Sequence, residues 1–354
     1  MTEENPIKVL IVDDSAVMRS VISRIISAET DMKVVGTAEN GELGVKSISS
    51  LKPDVVILDL EMPVMDGITA LPLMLKEKAD LPVLICSTLS SHGADISIRA
   101  LALGAAECIL KPGGDAILSA HDFQKELVKV VRTLAARSAV KAQPQVQVKA
   151  PVSIRQDKLV FTPKVLALGS STGGPKALME GLKDLKGLSV PIVITQHMPK
   201  IFTAMLAQHI TQNCGIPCSE GKEGEILKPG QAYVAPGDYH MGFKKLGNDT
   251  VIHLNQEPPE NFCRPSVNPM IRGLMDIHGG KILTVILTGM GQDGSQACAT
   301  LAEKGGRIIA QDEATSVVWG MPGAVAKMGV CNAVLPLEKI AEAIRQSLQG
   351  KVLS

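Results

Sequence analysis

Val165-Leu166-Ala167-Leu168-Gly169-Ser170-Ser171-Thr172-Gly173-Gly174-Pro175 is the stretch that decides the reading of the chain. An apolar run, Val165 to Leu168, stops at glycine and hydroxyl residues, and from Lys176 apolar side chains resume at helical spacing. The stretch therefore reads strand, tight turn, helix. Within the turn, Gly169-x-Ser171-x-Gly173 has the form of a nucleophile elbow, in which glycines allow a cramped backbone and the serine hydroxyl projects from the end of a sheet. The helix that follows offers unpaired amides to an anion. Phosphate-binding loops share this glycine and serine content. The glycines at 169, 173 and 174 nevertheless do not fit G-x-G-x-x-G, and no Gly-Lys-Ser/Thr follows. A serine nucleophile needs a base and an orienting acid, which other segments must supply.

Size and composition bound the alternatives. A chain of 354 residues points to two domains. Hydrophobic residues make up 45% but aromatic ones only 2%, so the cores must be built from aliphatic side chains and methionine. The formal net charge is zero with no long basic run, which argues against nucleic acid as a partner. Met1-Thr-Glu-Glu-Asn5 is acidic and polar, unlike a signal peptide, and no apolar run approaches the ~18 residues of a membrane span, so a cytoplasmic protein without membrane insertion is expected. The seven cysteines, at 86, 108, 214, 218, 263, 298 and 331, then read as reduced thiols. Cys214 and Cys218 lack the further ligands a metal site needs.

The first half alternates strand and helix. Ile7 to Val12 reads as a buried strand ending in Asp13-Asp14-Ser15. Adjacent acids at a strand end are costly unless a cation sits there, and Ser15 can cap the helix carrying Met18, Val21, Ile22, Ile25 and Ile26. Further strands are expected at 32–35, at 54–59 ending in Asp59, at 82–86 before Ser87, and at 107–110 before Lys111. A doubly wound parallel sheet of five strands would bring Asp13, Asp14, Asp59, Ser87 and Lys111 to one rim, where ligands of open α/β sheets bind. A long helix from Asp115 to about Arg137 follows. The low-complexity segment after it reads as a linker.

In the second half, a strand at 190–195 ends in Gln196-His197-Met198-Pro199, and one at 282–287 ends in Thr288-Gly-Met-Gly-Gln-Asp293-Gly294. Runs between Tyr233 and Leu254, broken by Gly-Asn-Asp, read as a β-hairpin appended to a mostly parallel α/β sheet. Ser171, His197 and Asp293 at three strand ends make up the inventory of an acyl-transfer triad.

Residues 7 to 135, with the motif D-L-E-M-P-V-M-D-G at Asp59, resemble the receiver domain of response regulators. That resemblance implies Asp59 as phosphoacceptor, Asp13, Asp14 and Asp59 as Mg²⁺ ligands, Ser87 and Lys111 as switch residues, and a chemotaxis histidine kinase as phosphodonor. Cys108 stands where many receivers place a switching aromatic. G-S-S-T-G-G-P, T-Q-H-M-P, R-P-S-V-N-P at 264–269, L-T-G-M-G-Q-D-G and W-G-M-P-G at 319–323 together resemble the catalytic domain of the chemotaxis protein-glutamate methylesterase family. Lys200-Ile201 departs from many relatives.

The whole resemblance implies a receiver at 1–135, a linker at 136–160 and a methylesterase domain at 161–354. The expected reaction is phosphorylation-regulated hydrolysis of glutamate γ-methyl esters on methyl-accepting chemotaxis receptors, with deamidation of receptor glutamines. Ser171, His197 and Asp293 would form the triad. The Met290 amide would bind the oxyanion, with Thr172 lining the site, and no cofactor would serve the esterase. A DNA-binding output domain is the competing architecture, but the second half lacks a compact helix-turn-helix. A binding module with a vestigial triad is the other alternative.

Overall fold

The computed structural model describes residues 6–88, 90–112, 120–142, 153–156 and 162–351. Two compact units divide the chain, Met1–Gln147 and Val148–Ser354.

In the first unit, β1 (Ile7–Val12), α1 (Ala16–Ser27), β2 (Met32–Ala38), α2 (Gly41–Leu51), β3 (Val55–Leu58), α3 (Gly67–Glu77), β4 (Val83–Ser87), α4 (Ser91–Leu103), β5 (Glu107–Leu110) and α5 (Ala120–Ala142) alternate along the chain. The sheet order is β2-β1-β3-β4-β5, with every pairing parallel. β3 and β4 are buried throughout, as continuous apolar strands covered on both faces should be. Ser15 caps α1, its hydroxyl accepting from the Met18 amide at 3.3 Å, and Ile22 and Ile26 are the face that helix buries. Strand order reverses between β1 and β3, so the crevice at their carboxyl ends is the expected ligand site.

The second unit comprises β6 (Val165–Ser170), α6 (Gly174–Gly181), β7 (Ile192–Gln196), α7 (Lys200–Cys214), β8 (Cys218–Glu220), β9 (Ala232–Val234), β10 (His240–Leu246), β11 (Asp249–Asn255), α8 (Val267–His278), β12 (Ile282–Ile286), α9 (Ser295–Glu303), β13 (Arg307–Gln311), α10 (Met321–Lys327), β14 (Ala333–Leu335) and α11 (Leu337–Leu348). A seven-stranded sheet runs β14-β13-β12-β6-β7-β9-β8, all parallel. β6 lies between β7 and β12, with Ser170 opposite Gln196 and Gly169 opposite Ile286. Winding changes direction at β6, which again places the ligand crevice at its carboxyl end. α8 buries Val267, Met270, Ile271, Leu274 and Met275, positions recurring every three to four residues, within the core that also holds Met241, Phe243 and Ile252 of the β10-β11 hairpin. Truncating Leu274 to alanine would cost about 2 to 5 kcal/mol.

Two local expectations are corrected. Tyr233 is not part of the hairpin: β9 joins the parallel sheet, and the hairpin begins at His240. Helix α5 passes Arg137 and reaches Ala142, because Ala-Arg-Ser-Ala-Val-Lys-Ala contains no breaker. Within the expected linker, Arg155 is anchored to the second unit. Its amide donates to the Cys331 carbonyl at 2.8 Å and its guanidinium to the carbonyls of Ala302 at 2.7 Å and Gly306 at 2.6 Å. Residues 143–152 and 157–161 of that segment lie outside the described residues.

Candidate active site

At the crevice of the second unit, β6 delivers Ser171, whose amide donates to the Thr288 carbonyl at 3.0 Å. A Cβ on Gly289 would stand 2.8 Å from Ser171 Cβ, so only glycine leaves the serine its place. β7 delivers His197, its amide donating to the Ser170 carbonyl at 3.0 Å. β12 leads into the turn at 288–294, which carries buried Asp293 and half-buried Met290. Thr172 is buried, and its carbonyl accepts from Thr288 Oγ1 at 2.9 Å.

Asp293 accepts from six donors. Oδ2 faces His197 Nε2 at 2.8 Å and the Val267 amide at 2.7 Å. Oδ1 takes Ser266 Oγ at 2.8 Å, the Gly294 amide at 2.9 Å, Asn261 Nδ2 at 3.1 Å and the Asn268 amide at 3.3 Å. Two of these amides belong to the first turn of α8, where the helix dipole also favours negative charge. Burial pushes the Asp293 pKa up, but His197, the Val267 amide and the Ser266 hydroxyl outweigh it and the net direction is down. Burial disfavours charged His197 in the same way. Asp293 and then Cys263 outweigh it, and His197 is pushed up to about 9. Cys263 Sγ lies 3.4 Å from His197 Nδ1. Among the described residues, no hydrogen bond joins Ser171 Oγ to His197, a looseness common in resting sites.

Buried Gln196 spans the gap between the two strand ends. Its Nε2 donates to the carbonyls of Ser171 and His197, each at 3.0 Å, while its Oε1 accepts from Ser170 Oγ at 2.7 Å. Neither Gln196 nor Asn261, Cys263 or Ser266 is singled out by the sequence, although all but Asn261 stand in or beside the motifs T-Q-H-M-P and R-P-S-V-N-P. Their roles depend on strand register and on a loop returning from 66 residues away, which spacing does not encode.

In the first unit, Asp13 and Asp14 follow β1, Asp59 follows β3, Ser87 ends β4 and Lys111 follows β5. Lys111 Nζ lies 2.8 Å from Asp13 Oδ2 and 2.7 Å from Asp59 Oδ2. One carboxylate oxygen from each of Asp13, Asp14 and Asp59 falls within 4.8 Å of the others, an all-oxygen donor set suited to a hard divalent cation. Burial raises the Asp59 pKa, and Lys111 only partly offsets it. Burial alone would lower that of Lys111, but the two carboxylates hold it above its usual value. Ser87 is buried, and its hydroxyl lies 3.4 Å from the carbonyls of Thr88 and Gly93. Cys108, in β5, has its thiol pushed up to about 12 by burial.

The family described as CheB methylesterase matches residues 166–344, and the response regulator receiver domain family matches 9–121. A protein-glutamate methylesterase/protein-glutamine glutaminase of Azospirillum brasilense is 46% identical, over 97% of this chain and 93% of its own length. One from Paramagnetospirillum magneticum is 45% identical, over 95% and 94%. Among solved structures, the CheB methylesterase catalytic domain of Thermotoga maritima is 38% identical and covers 52% of this chain and 98% of its own, with a TM-score of 0.51. The described residues contain no helix long and apolar enough to cross a membrane.

Proposed function

The chain belongs to the CheB methylesterase family, and from that premise we propose that Ser171, His197 and Asp293 carry out its reaction. It is a phosphorylation-regulated protein-glutamate methylesterase that hydrolyses glutamate γ-methyl esters of chemoreceptors. Release of methanol and deamidation of receptor glutamines proceed through one acyl-enzyme chemistry. The observation that carries the assignment is the 2.8 Å bond between His197 Nε2 and Asp293 Oδ2 at the strand end adjoining Ser171.

Because Nε2 faces Asp293, Nδ1 is the nitrogen that takes the proton from Ser171 as its oxygen attacks the ester carbonyl. Protonated His197 then returns that proton to the departing methoxide, or to the amine in deamidation. Asp293, kept ionised by its six donors, orients the ring and stabilises the imidazolium. The backbone amide of Met290 stabilises the oxyanion beside Thr172, a contribution worth about 2.7 to 4 kcal/mol in such sites. Water enters the same geometry to release the glutamate carboxylate.

In the receiver, Asp59 is the phosphoacceptor, with a histidine kinase or small phosphodonor supplying the phosphoryl group. Asp13, Asp14 and Asp59 would hold Mg²⁺, which when bound offsets charge between the carboxylate and the incoming phosphate. Lys111 pairs with the phosphoryl oxygens and Ser87 supplies a hydroxyl to them. The decisive experiment is methanol release from methylated receptor membranes by the acetyl-phosphate-treated chain. Wild type should release methanol and Ser171→Ala should not; release by Ser171→Ala at the wild-type rate would refute the nucleophile.

A further inference from the structure

Phe262 is 99% exposed, and it follows Asn261 in a turn that sends neighbouring groups straight into the triad. Asn261 and Phe262 have φ of 53° and 64°, and the flanking residues bond reciprocally, Glu260 N to Cys263 O at 3.1 Å and Cys263 N to Glu260 O at 3.0 Å. This is a two-residue hairpin turn with both central residues left-handed, for which Asn-Gly is the favoured sequence. Asn261 obeys that preference. A bulky aromatic in the second place does not, since its Cβ crowds the backbone there.

The turn is nonetheless held firmly. Glu260 forms a bidentate pair with Arg272 at 2.6 and 2.9 Å, Asn261 Nδ2 reaches Asp293, and Cys263 reaches His197. On the following residue, Arg264 is paired with Asp238 at 2.6 Å. Glu260 with Arg272 and Asp238 with Arg264 are thus matched in pairs, and Phe262 is left as a large apolar group in water. A residue kept both against its backbone preference and against hydration points to a contact made outside its own unit.

We propose that Phe262 is a substrate-docking residue: its ring packs on an apolar side chain adjoining the target glutamate of the receptor. This rests on the esterase reading above. The occupant follows from position, because the residues on either side of Phe262 touch Asp293 and His197, so whatever covers the ring must adjoin the glutamate in reaction. It follows also from chemistry, because Glu260, Arg272, Asp238 and Arg264 are already paired and leave an aromatic anchor of the kind that dominates binding at protein interfaces.

The test compares, in the full chain treated with acetyl phosphate, kcat/KM for methanol release from methylated receptor membranes with the rate at which a small fluorophosphonate labels Ser171. The probe has no flanking chain, so the ratio of the two rates isolates docking. Phe262→Gly should lower that ratio about tenfold through KM, with kcat little altered, while Tm stays level or rises because Asn-Gly suits the turn. Phe262→Leu, which keeps apolar bulk in the same backbone, should hold the ratio within about threefold of wild type. A ratio unchanged in Phe262→Gly would overturn the proposal, as would a Tm several degrees lower, which would make the ring a support of the fold. If Phe262→Leu behaved as Phe262→Gly, the ring face would be meeting a cation and the apolar partner would be wrong. Were wild type to release no methanol at all, the esterase reading itself would fall, an outcome distinct from a flat ratio in an active enzyme.

Discussion

Cys263 places its Sγ 3.4 Å from His197 Nδ1, the ring nitrogen that remains once Asp293 has taken Nε2. The thiol is therefore within reach of the same ring nitrogen that takes the Ser171 proton in the proposed mechanism. With Asp293 it also favours the imidazolium, and together they push His197 up to about 9 against the effect of burial.

A pH dependence follows from that relationship. General-base action needs neutral imidazole, so the esterase rate should climb with pH through a midpoint near 9, well above that of an ordinary histidine, and level off only beyond it. Cys263→Ala removes a group that favours the charged form, so the midpoint should move down toward the ordinary histidine value. A kcat/KM profile of both proteins measures this, and a midpoint unmoved by Cys263→Ala would mean that Asp293 sets the shift alone.

Single replacements of the triad should each cut turnover by orders of magnitude while the fold persists. Because the three groups act as one unit, Ser171→Ala combined with His197→Ala should be scarcely slower than Ser171→Ala alone. Asp293→Ala carries an added structural penalty, since it strands the Ser266 hydroxyl and the Val267 amide without their acceptor. Its Tm should fall below that of the other two variants, which thermal unfolding would reveal.

Gln196 should behave as a positioning residue. Gln196→Met removes the donor shared by the Ser171 and His197 carbonyls while roughly preserving volume. Displacing reacting groups by about 1 Å can cost a hundredfold, so kcat should fall at least tenfold with KM nearly unchanged. A KM effect with intact kcat would contradict the assignment. Gln196→Glu should be worse, because a carboxylate oxygen would face two carbonyls where an amide now donates.

The sheets and their strand ends were legible because period and punctuation are local. Val165–Ser170 and Ile282–Ile286 are apolar runs cut off by glycine and polar residues, and acids after Val12 and Leu58 mark the receiver rim. What the sequence hid depends on register and on distant returns. Gln196 matters because β6 and β7 pair with Ser170 opposite it, and the Asn261 turn matters because it folds back over Asp293. β9 escapes a reading from local pattern for a related reason. Ala232–Val234 has the letters of any short strand, and only its slot between β7 and β8 distinguishes it from the hairpin that follows.

The last prediction concerns phosphorylation, where burial and Lys111 pull the Asp59 pKa in opposite directions. Lys111 Nζ lies within 2.8 Å of both Asp13 and Asp59, so it partly neutralises the acid cluster that would receive Mg²⁺. Burial nevertheless raises the Asp59 pKa above the usual carboxylate value. The nucleophile is the carboxylate, so labelling of Asp59 by acetyl phosphate should be lost on acidification at a higher pH than for an ordinary aspartate. Saturating Mg²⁺ should move that loss to lower pH, since a bound cation favours the ionised form. A chelator should abolish labelling and the accompanying rise in esterase rate, while the unphosphorylated esterase rate stays as it was. Asp59→Asn should keep the basal rate with or without the phosphodonor. Chelator-resistant labelling would remove the metal from the receiver chemistry, and chelator-sensitive hydrolysis by Asp59→Asn would place a metal at the esterase site instead.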